Sequence, residues 1–314
     1  MGSDKARNTY NPAQHYRGLV AQQGRVTLEA DWNEAQTLSH EELRLETRDL
    51  IGSTGTPDNG YVLLPPAPGD DPLDFQIGPG TLYVDGLRVV LPETIKYSAQ
   101  SEWLDRASEP DWLTPDAPPA QELVYLYLRE QEISATEDPD LREPALGGPD
   151  TMQRLRLIQR IARLNTQDDD CLQALAAPWL ESGLAFDPAT LRLNSYARLQ
   201  VSFQTAPPPP DLCEPEAQGG YLGAENQLFR VQISDATHFI WGFDNASFLY
   251  CVEIDPANPQ RLKLLSRPVD ALHRPQTNQA VEVLLAAAQL SNGEYIAAPR
   301  GQVHTLTVPY DPDT

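Results

Sequence analysis

Five histidines, His15, His40, His238, His273 and His304, are the residues of this chain best suited to metal ligation or proton transfer. None has a second histidine or cysteine at ligand spacing, so no metal centre is expected. Asp168-Asp169-Asp170 offers carboxylates in a row but lacks the Asp-x-Asp-x-Asp-Gly spacing that wraps a loop around calcium. It reads as a solvated turn or a helix start. A glycosidase needs two carboxylates astride one sugar bond, and among 45 acidic residues chance supplies such a pair in almost any fold. No Gly-x-Ser-x-Gly elbow, phosphate-binding loop with lysine or dinucleotide fingerprint occurs. Cys171, Cys213 and Cys251 are widely separated and form no CxxC pair, as ordinary thiols of a reducing compartment would. Trp103, Trp112, Trp179 and Trp241 could stack on sugars, but core packing is the simpler reading. Trp241, beside Phe239, Ile240 and Phe243, is expected to be half core and half interface. No catalytic residue and no cofactor are expected, so the chain does not read as an enzyme.

The most specific stretch is Gln22-Gln23-Gly24-Arg25-Val26 running into Leu28-Glu29-Ala30-Asp31-Trp32-Asn33-Glu34. Gly24 suits a turn, and the alternation from Arg25 to Ala30 predicts a short half-buried strand. Asp31 reads as a helix N-cap paired with Glu34, and a helix from Trp32 to about Leu50, closed by Gly52, follows. Trp32, Ala35, Leu43 and Leu50 form its apolar stripe, with Leu38 and Leu45 beside it and Ser39 and Glu46 interrupting. Glu34, Glu41, Arg44 and Arg48 are expected on the solvated face. The helix either packs on its own domain or is shared with a neighbouring subunit. Residues 1 to 24 read as a polar arm, anchored by Tyr10, Tyr16, Leu19 and Val20, of the kind that orders against something else.

A net charge of −22 disfavours a nucleic-acid partner, which needs surplus lysine and arginine to displace counterions. Such acidity suits a solvated surface or docking to a basic partner. No apolar run reaches the length of a membrane span, and Met1 to Leu19 has no secretory signal, so folding in the bacterial cytoplasm without membrane insertion is expected. Twenty-nine prolines argue for short extended segments rather than helices. Tyr61 to Leu64, Phe75 to Ile77, Thr81 to Val84 and Leu87 to Leu91 read as strands. Leu123 to Arg129, apolar on both faces, reads as a central strand. Met152 to Leu164 fits a strand or a helix by periodicity. Residues 168 to 196 look helical and loop-like, and Tyr196 to Phe203 extended. Pro207 to Pro210 reads as a rigid spacer. Beyond it, strands are expected at Leu228 to Ile233, His238 to Phe243, Phe248 to Ile254, Arg261 to Leu265, Val281 to Leu285 and Gln302 to Val308.

Asn11-Pro12, His15-Tyr16, Gly18, Gln22 to Val26 and Ala30 to Glu34 together resemble the opening of an uncharacterised domain family from gene clusters of phage-tail-like contractile injection systems. Ile77-Gly78-Pro79-Gly80 with Tyr83-Val84-Asp85-Gly86 is similar to that family's glycine-rich hairpin, also found in several phage baseplate proteins. Gly220-Tyr221, Glu225-Asn226-Gln227-Leu228 and the Asp244-Asn245 turn agree in order. The resemblance favours a strand for residues 152 to 164. It implies a structural component of such a particle, a connector at the baseplate periphery or a fibre-attachment protein, present in several copies. Its partners would be baseplate, fibre, sheath or tube subunits, in a particle either released or membrane-anchored. Docking is expected through Gln22, Gln23, Gly24, Arg25, Trp32 and Asn33, although Arg25 and Asn33 could instead brace the strand-to-helix turn. Rival readings are a receptor- or glycan-binding tail fibre protein and a polysaccharide-cleaving enzyme. The expected fold is α+β, predominantly β: arm and helix over 1–55, a central antiparallel β domain over 56–206, a linker over 207–220 and a second antiparallel β domain over 221–314.

Overall fold

The computed structural model describes residues 5–102, 121–148, 150–180, 184–200, 202, 229–235, 237–242, 248–271 and 273–312. The fold is α+β and dominated by β structure, one long helix followed by several small antiparallel sheets.

Gly24 adopts φ +73° in a turn where Arg25 donates its N–H to the Gln22 carbonyl at 3.3 Å. No strand follows. Helix α1 (Glu29–Ile51) begins directly, with Leu28 at its N-cap. Asp31 therefore acts from the third helical position, accepting the Leu28 N–H at 2.9 Å. Half of a reciprocal cap is enough here, because the Leu28 side chain has no acceptor to offer. The alternation from Arg25 to Ala30 finds no strand to pair with, and Glu29 and Ala30 favour the helix. Gly52 ends it, donating to the Arg48 carbonyl at 2.7 Å.

Six short strands follow: β1 (Thr54–Gly55), β2 (Leu63–Leu64), β3 (Gln76–Ile77), β4 (Gly80–Val84), β5 (Leu87–Leu91) and β6 (Ile95–Lys96). They form two antiparallel sheets ordered β1-β4-β5 and β2-β3-β6. Two long strands, β7 (Glu122–Ile133) and β8 (Arg154–Asn165), pair along their whole length as an antiparallel ribbon. Tyr61, Ile77, Val89, Leu91 and Tyr97 bury against Ile161 of this ribbon, with Val124, Leu126 and Leu128 packed on them.

Among the described residues β7 has only β8 as a strand partner, so it is not the central strand that its two apolar faces predict. Its second face is covered by a helix instead. Tyr127 stacks on Trp179 of α2 (Cys171–Leu180), with ring centroids 6.1 Å apart. The outer edge of β8 is closed by side chains. Ile161 donates its N–H to Gln100 Oε1 at 2.7 Å, Gln100 Nε2 donates to the Ile161 carbonyl at 3.0 Å, and Gln159 N–H donates to Glu102.

A hairpin of β9 (Leu184–Asp187) and β10 (Arg192–Ser195) occupies part of the stretch read as helical and loop-like. No strand lies over the described part of 196–203. The remaining strands are β11 (Arg230–Ile233), β12 (Phe239–Gly242), β13 (Val252–Asp255), β14 (Asn258–Leu264), β15 (Ala280–Val283), β16 (Ala286–Gln289), β17 (Tyr295–Ala297) and β18 (Gln302–Thr305). They pair as β11-β12, β13-β14, β15-β18 and β16-β17, four two-stranded sheets. A two-stranded sheet alone is marginal in water. The β16-β17 pair gains support by burying Ala288 and Ile296 against Ile133 and Ile158 of the ribbon. Glu137 reinforces that joint, accepting the Ala297 N–H at 3.0 Å and the Ser134 N–H at 2.9 Å. The tetraproline, Trp103, Trp112, Cys213, Glu225-Asn226-Gln227-Leu228 and Asp244-Asn245 lie outside the described residues.

Candidate functional site

The six expected docking residues occupy one end of α1. Gln22, Gln23, Gly24 and Arg25 form the exposed turn, while Trp32 and Asn33 stand in the first turns of the helix. Trp32 faces outward and Asn33 is half-buried. Among the described residues no side-chain hydrogen bond from Arg25 or Asn33 braces the turn. The arm lies on the molecule through polar contacts: Arg17 Nη2 to Glu42 at 2.8 Å, Thr9 Oγ1 to Glu34, and Lys5 Nζ to Glu132 of β7. It buries none of its aliphatics, and Leu19, Val20, Val26 and Leu28 all remain exposed.

Helix α1 is turned the opposite way from its expected orientation. Of the anticipated apolar stripe, Trp32, Leu43 and Leu50 are 54%, 64% and 87% exposed and Ala35 is half-buried. Ala30 and Leu38 are buried, and Glu41, Arg44 and Arg48 face inward beside them. Those arginines converge on Asp85. The Asp85-Gly86 turn joins β4 to β5, and positive φ at both residues, +48° and +78°, is the geometry of a tight two-residue hairpin. Asp85 is only 2% exposed. Its Oδ2 accepts from Arg44 Nη2 at 2.5 Å and from Arg192 Nε of β10, and its Oδ1 lies 3.5 Å from Arg48 Nη1. Arg44 Nε also donates to the Asp85 carbonyl at 2.8 Å, and the Asp85 N–H donates to the Ser53 carbonyl at 2.7 Å. Glu41 adds a second carboxylate, 3.5 Å from Arg44 and 3.7 Å from Arg192. Burial pulls the Arg192 pKa down, but the bond to Asp85 and the charges of Asp85 and Glu41 outweigh it and hold the guanidinium above its usual value.

Gly86 makes this clamp possible. A Cβ there would stand 2.1 Å from the Arg44 carbonyl oxygen, so the helix backbone rests directly on the turn. The sequence reading placed Arg44 and Arg48 in solvent and missed the clamp. The available signal was two arginines one turn apart on a helix, followed by an Asp-Gly hairpin.

A second polar cluster surrounds a cavity of about 60 Å³ lined by Tyr61, Gln100, Glu102 and Gln159 among others. Tyr61 holds φ +63° and donates its hydroxyl to Gln159 Oε1. Burial raises the Tyr61 and Glu102 pKa values, and in Glu102 it outweighs the Gln159 N–H and the Arg156 guanidinium. The space suits ordered water rather than a sugar.

Elsewhere, His15 sits in an arm turn at φ +56°, His40 is exposed on α1, and His304 is exposed on β18. His238 contacts Asp235 and His273 contacts Asp270 within local turns. Asp170 caps α2 through the Leu172 and Gln173 N–H groups, the second of the two roles, solvated turn or helix start, expected for the aspartate run. Among the described residues no three His, Cys, Asp or Glu side chains gather to hold a metal ion.

The arm, helix, clamp and ribbon all fall within residues 1–192, which match a single family model, described as a family of unknown function, DUF6519. The chain belongs to the DUF6519 family. The DUF6519 match ends on Arg192, so it includes every residue of the Asp85 clamp and all six expected docking residues. No curated protein and no solved structure matches the chain. No helix among the described residues is long and apolar enough to cross a membrane.

Proposed function

We propose that this DUF6519 chain is a structural connector of a phage-tail-like contractile injection particle, placed at the baseplate periphery or at a fibre attachment. The observation that carries the reading is the outward face of α1. A helix locked from within by a buried ion cluster presents Trp32, Leu43 and Leu50 to solvent, beside an arm whose aliphatics are also unburied. Exposed apolar patches of this kind mark interaction surfaces. Rigid placement from behind lowers the ordering cost when a neighbour binds. Gln22, Gln23, Gly24, Arg25, Trp32 and Asn33 lie at the junction of the two patches. Partners are baseplate, fibre, sheath or tube subunits of the same particle.

The test is to tag the full chain in its producing cell and follow it into sedimented particles. Removal of residues 1–24 is expected to leave a folded protein that no longer enters them. Full incorporation without the arm would overturn the docking role, and absence of the intact chain from particles would overturn the assignment.

A second reading has its own observation. Phe229, Phe239 and Trp241 are exposed around the β11-β12 hairpin, with Phe229 and Trp241 stacked at 6.2 Å, a surface suited to glycan or receptor contact. Glycan-array signal from the intact chain that Trp241→Ala removes would favour it.

A further inference from the structure

The arm and the outer face of α1 are complementary to each other, yet they do not cover each other within one chain. Residues 5–28 contain Lys5, Arg7, Arg17 and Arg25 and no acidic residue. The exposed charges flanking Trp32, Leu43 and Leu50 on α1 are Glu29, Glu42, Glu46 and Asp49. The helix's own arginines, Arg44 and Arg48, point inward to Asp85 and neutralise none of them. Trp32, Leu43 and Leu50 recur at intervals that return to one line on a 3.6-residue helix, over roughly 27 Å. An extended segment carrying Leu19 and Val20 between Arg17 and Arg25, with Val26 directly after, is the matching shape.

From this complementarity we propose that the arm of one copy docks along the outer face of α1 of a second copy. This inference rests on the connector reading and names its partner as the same chain. Two α1 faces cannot meet each other, since that would set four carboxylates against four. Arm on helix closes as a dimer when two copies exchange arms, and continues head-to-tail as a ring or a filament when they do not. Within a single chain, Arg17 reaches this face through Glu42, and that exposed pair contributes little by itself. The same pair made between copies would add the aliphatic burial that the chain lacks alone.

The experiment is sedimentation of the purified full chain with two charge-reversed variants, Arg17→Glu with Arg25→Glu and Glu42→Arg with Glu46→Arg. The intact chain is expected to gain average mass with concentration and to lose it on moving from about 50 mM to about 0.5 M salt. Each variant alone should associate about tenfold more weakly or worse. Their mixture should recover association, because the acidic arm of one variant then meets the basic helix of the other. Recovery on mixing is diagnostic, since pairing confined to one chain gains nothing from it. A mixture no better than either variant overturns the proposal, as does an intact chain that stays monomeric to about 100 μM. Association without entry into particles would sink the particle reading alone. Entry of a monomeric chain into particles would sink only the arm contact.

Discussion

The two faces of α1 teach opposite lessons about the same helix. Its inner face carries Arg44, Arg48 and Glu41 against a buried aspartate, while its outer face carries Trp32, Leu43 and Leu50 into water. In an ordinary amphipathic helix these assignments are reversed. Charge is spent on locating the helix, and apolar area is kept for something else. A buried ion cluster is poor at raising net stability, but removing one partner leaves the remaining charges buried and uncompensated.

The largest expected effect comes from breaking the inner face. Asp85→Asn leaves the guanidinium groups of Arg44 and Arg192 without their shared carboxylate and should cost about 3–5 kcal/mol, read as a lower denaturation midpoint. A change under about 0.5 kcal/mol would mean that the clamp is incidental. Gly86→Ala should cost roughly 1–3 kcal/mol, because the left-handed turn is strained for alanine and its Cβ meets the Arg44 carbonyl. The outer face should behave differently. Leu50→Ala or Trp32→Ala should shift stability by no more than about 0.5–1 kcal/mol while abolishing assembly. A large loss of stability in the isolated chain would return these residues to the core and erase the contrast.

Glu137 sharpens the comparison, since it is a buried carboxylate bonded to N–H and hydroxyl groups with no arginine in its hydrogen-bond set. Burial raises its pKa above the ordinary glutamate value, as it does for Glu102. In the folded state both groups bind protons more readily than in the unfolded chain. Stability should therefore fall as pH rises from the usual glutamate value through the raised one. Thermal unfolding across that window should show the slope, and Glu137→Gln should flatten it; a rise in stability would contradict it. Asp235 runs the other way and gives the smallest effect. The Thr237 N–H, then His238 and the Thr237 hydroxyl, hold its pKa down to about 2. The β11-β12 turn should loosen as pH falls from about 4 toward 2, visible in amide chemical shifts of Thr237 and His238.

Local structure was legible where it depended on near neighbours. Gly24 and Gly52 announced a turn and a helix end, Tyr83-Val84-Asp85-Gly86 announced a hairpin, and Asp170 announced a helix start. The faces of α1 were not legible, because periodicity locates an apolar stripe without saying whether anything covers it. Asp85 lies 41 residues from Arg44 and 107 from Arg192, so only folding brings the clamp together. The same limit explains β7. Apolar residues on both faces imply cover on both sides, and here a helix provides what further strands were expected to provide. The β9-β10 hairpin escaped because Leu191, a leucine at φ +57°, replaces the usual glycine or asparagine signal.

The side chains of Gln100 and Glu102 along β8 have a consequence for crowding. An open strand is a template on which any nearby chain can crystallise into a continuous ladder. At Gln159 and Ile161 the bonds an invader would need are already taken, so a neighbouring backbone cannot extend the ribbon along that stretch.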